Sequence, residues 1–258
     1  MKLGCICGCF NRAFDAGQIS QLAFLERCAR DLRVSGAELQ DIHFPETRPR
    51  YLATLRRAAG DLGLALIGIG VHNDFGRAES TWRQSEIVKV KQWIEVAAEI
   101  GAGHVRVFAG HPEGSVVERW PAMVAALREV AAYAGSAGAR LVLENEAGFT
   151  PDAATHLKIV REVGHPALQP LLDTGNYPDG WRSVLETAPH AVHVHAKFWS
   201  VDPTGAEPGM DYPALVAGLR RRGYAGWVSF EYEGAEDEAT AIPRAFGYLR
   251  RLVEGREG

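Results

Sequence analysis

The sequence has no apolar run long enough to cross a bilayer. The longest one, Leu62 to Val71, is about half the length that a membrane-spanning helix needs. The first ten residues, MKLGCICGCF, carry one charged side chain and lack the extended apolar segment of a secretory signal. We therefore expect a cytoplasmic protein with no membrane partner.

An excess of basic residues is also absent. Lysine and arginine number 28 against 32 aspartates and glutamates, so the formal net charge is -4. Binding to a phosphate backbone depends on clustered positive charge, and this balance argues against a nucleic-acid partner. Hydrophobic residues make up 47% of the 258, enough for a substantial core, and we predict a single domain spanning residues 1–258.

Cysteine is scarce, and its positions favour packing over metal binding. Cys5, Cys7 and Cys9 alternate along the first predicted strand, and Cys28 lies in the helix after that strand. Alternate strand positions share a face, so a thiolate cluster is conceivable. No second CxxC-type half-site completes a tetrahedral set, and we interpret the four cysteines as fillers of a tight interior.

Linkers and low-complexity segments are missing as well, and strands alternate regularly with helices along the chain. Eight strand-like apolar runs occur, at KLGCIC, AELQDIHF, LALIGIGV, HVRVFAG, RLVLEN, LQPLLD, AVHVHAK and GWVSFEYE. Helical patterns come after them at residues 20–35, 49–62, 85–100, 116–134, 152–163, 180–188, 212–222 and 238–253.

This alternation predicts the fold class. Strict β, α succession implies a parallel sheet with right-handed crossovers, and eight units are the number that closes a barrel. We predict an α/β fold, a single (β/α)8 TIM barrel. A doubly wound sheet is the alternative, but it normally has a glycine-rich phosphate loop after its first strand, where this chain has GCFNRAF.

Four of the predicted strands end in a side chain that can bind a metal. Glu144 ends the fifth strand, Asp173 the sixth, His195 the seventh and Glu231 the eighth. A carboxylate isolated at the edge of an apolar interior costs several kcal/mol unless it finds a proton or a cation. The carboxyl ends of barrel strands surround one mouth, so we expect the four side chains to hold one divalent ion there. The ligand types leave Mn, Mg, Co and Zn open.

The residue types also predict the chemistry. A divalent ion that chelates a carbonyl and its neighbouring hydroxyl stabilises the negative oxygen formed when the adjacent carbon loses its proton. Two carboxylates can divide the proton transfers, one removing the proton and the other returning it. We expect epimerisation or isomerisation through an enediolate. Dehydration is the alternative if the intermediate expels a hydroxyl group.

The motifs resemble those of the xylose-isomerase-like barrel family of sugar-phosphate isomerases and epimerases, which includes ketose 3-epimerases, hydroxypyruvate isomerases and inosose dehydratases. The matching segments are ALIGIGVHNDF, HVRVFAG, LVLENE, LLDTGNY, HVHAK and GYAGWVSFEYE. They span essentially the whole chain. The resemblance implies a metal-dependent isomerase or epimerase of a small sugar or keto-hydroxy compound, without naming the substrate.

The resemblance also implies roles for individual residues. The positions that match the metal ligands are Glu144, Asp173, His195 and Glu231. Glu144 and Glu231 match the pair that transfers protons. His195 is the implied ligand rather than His193, because it lies two residues before the lysine of an H-x-K pattern. Positions that commonly contact substrate oxygens correspond to His72, Arg106 and Lys197.

The sequence departs from the family at two positions, and other readings stay open. Glu146 stands where many relatives have His, and Phe198 where an acidic residue usually comes after the lysine, which implies a different substrate pocket.

A metal-dependent apurinic-type endonuclease resembles the chain less, because Asn176 stands where an additional His ligand is expected. A barrel that binds a sugar without turnover is a further alternative. As partners we expect a sugar or keto-polyol substrate, and a homo-oligomer stays open.

Overall fold

The computed structural model describes residues 1–255; residues 256–258 of the predicted domain lie outside the described part. Within it, eight parallel strands form a closed barrel in sequence order. The strands are β1 (Lys2–Ile6), β2 (Gly36–Gln40), β3 (Ala65–Gly70), β4 (Val105–Val107), β5 (Leu141–Glu144), β6 (Leu168–Asp173), β7 (His193–Phe198) and β8 (Trp227–Tyr232). The last strand pairs with the first, with Lys2 beside Trp227. The predicted (β/α)8 TIM barrel is confirmed.

Helices cover the outside of the barrel between successive strands. They are α1 (Asn11–Asp15), α2 (Gln21–Arg30), α3 (Pro49–Asp61), α4 (Ser80–Ile100), α5 (Val116–Ser136), α6 (Ala153–Val163), α7 (Trp181–Thr187), α8 (Tyr212–Arg221) and α9 (Glu238–Glu254). Within residues 1–255, a 3-10 turn comes directly after each of the first two strands: Cys7–Phe10 after β1 and Asp41–His43 after β2. No helix in residues 1–255 is both long and apolar enough to span a membrane.

Two helix boundaries differ from the predicted ones. Helix α4 begins at Ser80 rather than at Ser85, so it is five residues longer at its start than predicted. Helix α2 ends at Arg30, well before the predicted end at residue 35, and Arg33 takes a positive φ of 49° in the turn into β2. Side-chain pattern alone does not specify such ends, because the local backbone turn decides them.

The short helix α1 was not predicted. It lies in the GCFNRAF segment between β1 and α2, where the sequence shows no helical apolar period over five residues. Its Arg12 guanidinium donates to the backbone carbonyls of Gly234 at 3.0 Å and of Glu236 at 2.7 Å, both beyond the end of β8. The segment therefore closes the barrel on the side where the first and last strands meet.

The cysteines fill the interior, as predicted, although only one of the three near the amino terminus belongs to the strand. Cys5, Cys7, Cys9 and Cys28 are completely buried free thiols. The chain leaves the strand after Ile6 and tightens into a 3-10 turn, so the predicted strand alternation of Cys7 and Cys9 is wrong. Burial raises the pKa of the Cys5, Cys7 and Cys9 thiols, which keeps them protonated.

Strand register brings the polar strand ends together. Asp173 at the end of β6 pairs with His195 of β7, and Lys197 of β7 pairs with Glu231 of β8. Since parallel neighbours in register point the same way, these side chains enter the barrel near its carboxyl end. The barrel closure therefore converts four separate strand ends into one cluster.

Candidate metal centre at the mouth of the barrel

Glu144, Asp173, His195 and Glu231 lie together inside the carboxyl end of the barrel, and we call them the mouth cluster. One ligand atom from each lies within 4.8 Å of the ligand atoms of the other three. His195 Nδ1 is 3.4 Å from Glu144 Oε1 and 3.3 Å from Glu231 Oε2. The nearest Asp173 oxygen, Oδ2, is 4.0 Å away. Each residue exposes at most 4% of its surface.

The mouth cluster contains buried polar atoms that the protein itself leaves unsatisfied. Glu144 Oε2, Asp173 Oδ2, His195 Nδ1 and Glu231 Oε2 have no hydrogen-bond partner among residues 1–255. An unsatisfied buried polar group costs about 1–3 kcal/mol, and more when it is charged. Three carboxylate oxygens and one imidazole nitrogen are a ligand set for a divalent cation. The residues present therefore fit the ion that the sequence implies.

A buried amide fixes the ends of β5 and β6 relative to each other. Asn145 comes directly after Glu144, and its side chain exchanges two hydrogen bonds with the backbone of Asp173: Oδ1 accepts from the N–H at 2.8 Å, and Nδ2 donates to the carbonyl at 2.9 Å. This bidentate contact holds two cluster members in register. Sequence reasoning missed Asn145, although an amide directly after a buried strand and before another polar residue was a visible signal.

Arg106 lies against Glu144, where it compensates part of the negative charge. Its Nε is 2.9 Å from Glu144 Oε2, without the alignment of a hydrogen bond, and its guanidinium lies 4.0 Å from the ring centre of Phe108. Burial alone would raise the pKa of Glu144, but the charges of Arg106 and His195 outweigh it and hold that pKa below its usual value. A Cβ at Gly70 would come within 2.5 Å of Arg106 Nη2, so glycine makes room for the guanidinium.

Lys197 lies beside the mouth cluster, not on its exposed rim. Its ammonium nitrogen is 3.4 Å from Asp173 Oδ2, 3.1 Å from Glu231 Oε1 and 3.2 Å from Glu233 Oε2, and the residue is 3% exposed. Burial alone would lower the pKa of Lys197, but the three carboxylates raise it well above its usual value. The same ammonium holds the pKa of Glu231 far below its ordinary range against the opposing effect of burial.

The second ring nitrogen of His195 contacts a carboxylate that sequence reasoning missed. Nε2 lies 3.1 Å from Oε1 of Glu38, a fully buried residue of β2. His193 reaches the other oxygen of Glu38, with Nε2 3.0 Å from Oε2, so the two histidines have different surroundings. The signal was a glutamate between Ala37 and Leu39 in a predicted strand, since a buried charge requires a partner.

His72 lies farther out, with 37% of its side chain exposed. Its Nδ1 is 2.6 Å from Oδ1 of Asp41, and its backbone N–H donates to Oδ2 of the same carboxylate at 3.1 Å. Burial would raise the pKa of Asp41, but these contacts with His72 lower it. The partnership orients the His72 ring and assigns to Asp41 a positioning role that the sequence did not reveal.

The two departures from the family pattern have different structural consequences. Glu146 is half-buried at the mouth, and its Oε2 lies 3.9 Å from His111 Nδ1. Phe198 is completely buried and stacks on Tyr212 with ring centres 5.0 Å apart, in the layer between β7 and α8. Phe198 therefore changes packing behind the strand, whereas Glu146 changes the mouth itself. Asn176 also reaches the cluster, since its Nδ2 donates to Glu144 Oε1 at 3.3 Å.

Comparison with known proteins identifies the family. Residues 27–252 match the family described as xylose isomerase-like TIM barrel. The chain belongs to this family. The family membership expected from the sequence motifs is thereby confirmed.

Curated relatives match parts of the chain. C-glycoside deglycosidase alpha subunits are 34% identical over 84 residues in Arthrobacter globiformis (30% of this chain, 23% of that protein) and 28% identical over 217 residues in Microbacterium trichothecenolyticum (71% and 58%). A 3'-dehydrocarminate deglycosidase alpha subunit from Microbacterium sp is 39% identical over 66 residues (26% and 18%). The chain covers less than two thirds of the length of each relative.

Solved structures share the fold over nearly the whole chain. A D-psicose 3-epimerase superposes with a TM-score of 0.79 at 19% identity, covering 99% of this chain and 100% of that one. A 3-keto-D-glucoside 4-epimerase from E. coli gives 0.78 at 18% identity, with 97% and 99% covered. A protein assigned as the 3-DHS dehydratase of petrobactin synthesis in Bacillus anthracis gives 0.74 at 18%, with both chains covered completely. At these identities the likeness shows the shared fold, and these three neighbours and the deglycosidase relatives are all named as enzymes.

Proposed function

We propose that the protein is a divalent-metal-dependent enzyme that removes the proton beside the carbonyl of a small keto sugar and returns it to give an epimer or isomer. The observation that carries this proposal is the mouth cluster, in which four residues each present one buried ligand-type atom without a hydrogen-bond partner in the described chain. Glu144, Asp173, His195 and Glu231 would hold the ion. When bound, it would polarise the substrate carbonyl and stabilise the enediolate oxygen.

Glu144 and Glu231 are suited to the proton transfers because their neighbours keep both ionised. Arg106 lowers the pKa of Glu144, and Lys197 lowers that of Glu231, so each side chain starts as a carboxylate that can accept a proton from carbon. They end non-adjacent strands, β5 and β8, and approach the cluster from different sides. One can remove the proton while the other returns it from the opposite face or at the next carbon.

Arg106, Lys197 and His72 would contact the substrate oxygens. Arg106 and Lys197 carry fixed positive charge at the level of the cluster, where an enediolate would develop negative charge. His72 lies farther out and is accessible, with Asp41 fixing its ring. This arrangement places charge stabilisation near the reacting carbons and an orienting imidazole at the periphery.

A sugar oxidised at C3 is the substrate class that best unites the named relatives. One neighbour acts on a 3-keto-D-glucoside, and one relative on a 3'-dehydro compound, whose name denotes a ketone at C3 of the sugar. A C3 ketone acidifies the protons on C2 and C4. Return of a C4 proton to the other face gives an epimer, so the same ketone supports the predicted epimerisation.

Elimination is the second candidate on the same site, and the deglycosidase relatives favour it. Removal of the C2 proton beside a C3 ketone leaves a carbanion that can expel the group on C1, and expulsion of a hydroxyl is dehydration. The two outcomes share the first proton transfer and differ in the fate of the carbanion, which is either reprotonated or expels a leaving group. Those relatives are named alpha subunits, so we propose a different partner chain as an alternative to the homo-oligomer that the sequence leaves open.

Proton NMR in D₂O tests the proposal and separates its outcomes. A methyl 3-keto-glucoside and a C-linked 3-keto-glucoside are incubated with metal-free protein, with protein loaded with Mn²⁺, Mg²⁺, Co²⁺ or Zn²⁺, and without protein. We expect metal-dependent deuterium incorporation beside the ketone. A new stereoisomer marks epimerisation, and a released aglycone marks elimination. Exchange no faster than the protein-free rate with every metal would refute the proposal for this substrate class.

A further inference from the structure

A second group of ligand-type side chains lies inside the barrel, beneath the mouth cluster. It consists of Glu38 in β2, His104 directly before β4 and His193 in β7, and we call it the inner cluster. One ligand atom from each lies within 4.8 Å of the others. His193 Nε2 is 3.0 Å from Glu38 Oε2, and His104 Nε2 is 3.5 Å from Glu38 Oε1. The centres of the two imidazole rings are 4.7 Å apart.

One imidazole of the inner cluster is unsatisfied. His104 is 8% exposed, and its Nε2 finds no hydrogen-bond partner in the described part of the chain. Its ring lies over Gly68 of β3, where a Cβ would come within 2.3 Å of that same nitrogen. Glycine at this position makes room for the ring, so the sequence accommodates an inward imidazole that lies near Glu38 but makes no aligned hydrogen bond.

An opening at the amino-terminal end of the barrel reaches the inner cluster. A cavity of about 400 Å³ is lined by His104 and His193, together with Lys2, Arg140 and Trp227 at the starts of neighbouring strands. This cavity lies at the opposite end of the barrel from the mouth. Water or a small ion can therefore reach the two imidazoles without passing through the mouth cluster.

The two clusters differ in ligand chemistry. The mouth cluster offers three carboxylates and one imidazole, which suits hard ions, whereas the inner cluster offers two imidazoles and one carboxylate. Two His and one Glu around an ion, with water as a further ligand, form a zinc-type set, and imidazole favours borderline transition metals over Mg²⁺ or Mn²⁺. We propose that Glu38, His104 and His193 form a second metal site, which takes Zn²⁺ or Co²⁺ through the amino-terminal cavity.

Neighbouring groups hold the inner carboxylate in place without closing the site. The Ser229 hydroxyl donates to Glu38 Oε2 at 3.0 Å, and His195 Nε2 contacts Oε1 at 3.1 Å. An ionised carboxylate has lone pairs for about four partners, and those not taken by Ser229 and His195 face His104 and His193, where a metal would bind. Glu38 therefore contacts His195 of the mouth cluster as well as the two histidines of the inner cluster.

Cobalt stoichiometry tests the second site. Protein stripped of metal with a chelator is dialysed against Co²⁺, and bound cobalt per chain is measured together with its visible absorption. We expect two ions in the unmodified protein, one in His104→Gln, one in Asp173→Asn and none in the double variant. His165→Gln removes a half-buried imidazole outside both clusters and should keep two. With Mn²⁺ in place of Co²⁺, we expect one ion per chain.

A cobalt content that His104→Gln does not reduce, whether it is one ion or two per chain, would overturn the second site. His193→Gln gives an independent variant if His104→Gln unfolds, and X-ray absorption of zinc-loaded unmodified protein counts imidazole ligands without any substitution. A cobalt content that Asp173→Asn does not reduce would refute the mouth site instead, so failures of the two sites are distinguishable.

Discussion

His195 contacts Glu38 through one ring nitrogen and the mouth carboxylates through the other. Nε2 lies 3.1 Å from Glu38 Oε1, while Nδ1 lies 3.3 Å from Glu231 Oε2. The ionised Glu38 carboxylate only accepts hydrogen bonds, so Nε2 carries a proton and the lone pair of Nδ1 is the one that a metal at the mouth would take. Such a carboxylate behind a histidine fixes the tautomer and the orientation that a metal requires.

Replacing Glu38 by Gln should weaken metal binding at the mouth even though Glu38 is not a proposed ligand there. Loss of the negative charge makes His195 less basic, and comparable changes behind metal ligands weaken affinity by about 10- to 100-fold. Electron paramagnetic resonance of free Mn²⁺ in a titration measures the effect. Ser229→Ala is the control, because it removes a Glu38 partner but keeps the contact with His195. Unchanged Mn²⁺ affinity in Glu38→Gln would show that His195 needs no such support.

Glu144→Gln and Glu231→Gln should each slow deuterium incorporation into substrate by about 10²–10⁴-fold, the usual contribution of a positioned acid or base. The measurement uses saturating Mn²⁺ and a parallel binding titration, since both residues are also proposed ligands. Glu146→Gln changes a half-buried carboxylate at the mouth and should retain exchange. Deuterium incorporation that survives both Glu144→Gln and Glu231→Gln would refute the proton-transfer roles of these residues.

Arg106→Met should destabilise the metal-free protein more than the metal-loaded one. The substitution leaves the buried Glu144 carboxylate without its cationic neighbour, and breaking a buried ion pair in this way costs about 3–5 kcal/mol. A bound divalent ion would compensate the same charge. Urea unfolding with and without Mn²⁺ measures the difference, and Arg106→Lys is the control that keeps the positive charge. Equal losses of stability in both conditions would contradict this prediction.

The His156 network should make stability fall with acidity. His156 is fully buried, and its Nε2 lies 2.9 Å from the carbonyl of Leu143 and its Nδ1 2.7 Å from the Tyr177 hydroxyl. The carbonyl can only accept, so Nε2 donates to it and Tyr177 donates to Nδ1. Burial lowers the pKa of His156 from 6.5 to about 4, and the neutral ring holds the residue before Glu144.

The direction of this pH dependence is set by the two pKa values. The pKa of His156 is about 2.5 units lower in the folded state than in the unfolded state. The stabilisation by the neutral ring is therefore fully present above pH 6.5 and is lost as the pH falls to about 4. The loss amounts to about 3 kcal/mol. Urea unfolding from pH 7 to 4 should show a shallower decline for His156→Gln than for the unmodified protein. His190→Gln, at an exposed position, should keep the original slope; parallel curves for all three would contradict the assignment.

The barrel and the mouth cluster were predictable because the relevant signals repeat. Apolar runs of strand length recur eight times, and toward their ends they carry Glu144, Asp173, His195 and Glu231, which a barrel brings together at one mouth. A pattern that recurs along the chain survives errors at single boundaries. The start of α4 at Ser80 shows such an error, since the cluster does not depend on where a surface helix begins.

The supporting residues were less predictable because each depends on a single distant contact. Glu38 meets His193 and His195 across the barrel interior, more than 150 positions later in the sequence, and no local period encodes that contact. The same applies to Asp41 beside His72. Closure of the barrel decides these pairings, so the sequence reveals only that a buried charge needs some partner.

Metal binding by Asp173→Asn shows whether the mouth cluster holds an ion. Metal-free protein is titrated with Mn²⁺, and the bound ion is measured by electron paramagnetic resonance for the unmodified chain, for Asp173→Asn and for Asp61→Asn, an exposed control on α3. We predict one Mn²⁺ per chain in the unmodified and control proteins and affinity weakened at least about 10-fold in Asp173→Asn. No bound Mn²⁺ in the unmodified protein, or equal binding by all three, would contradict a metal site built from the mouth cluster.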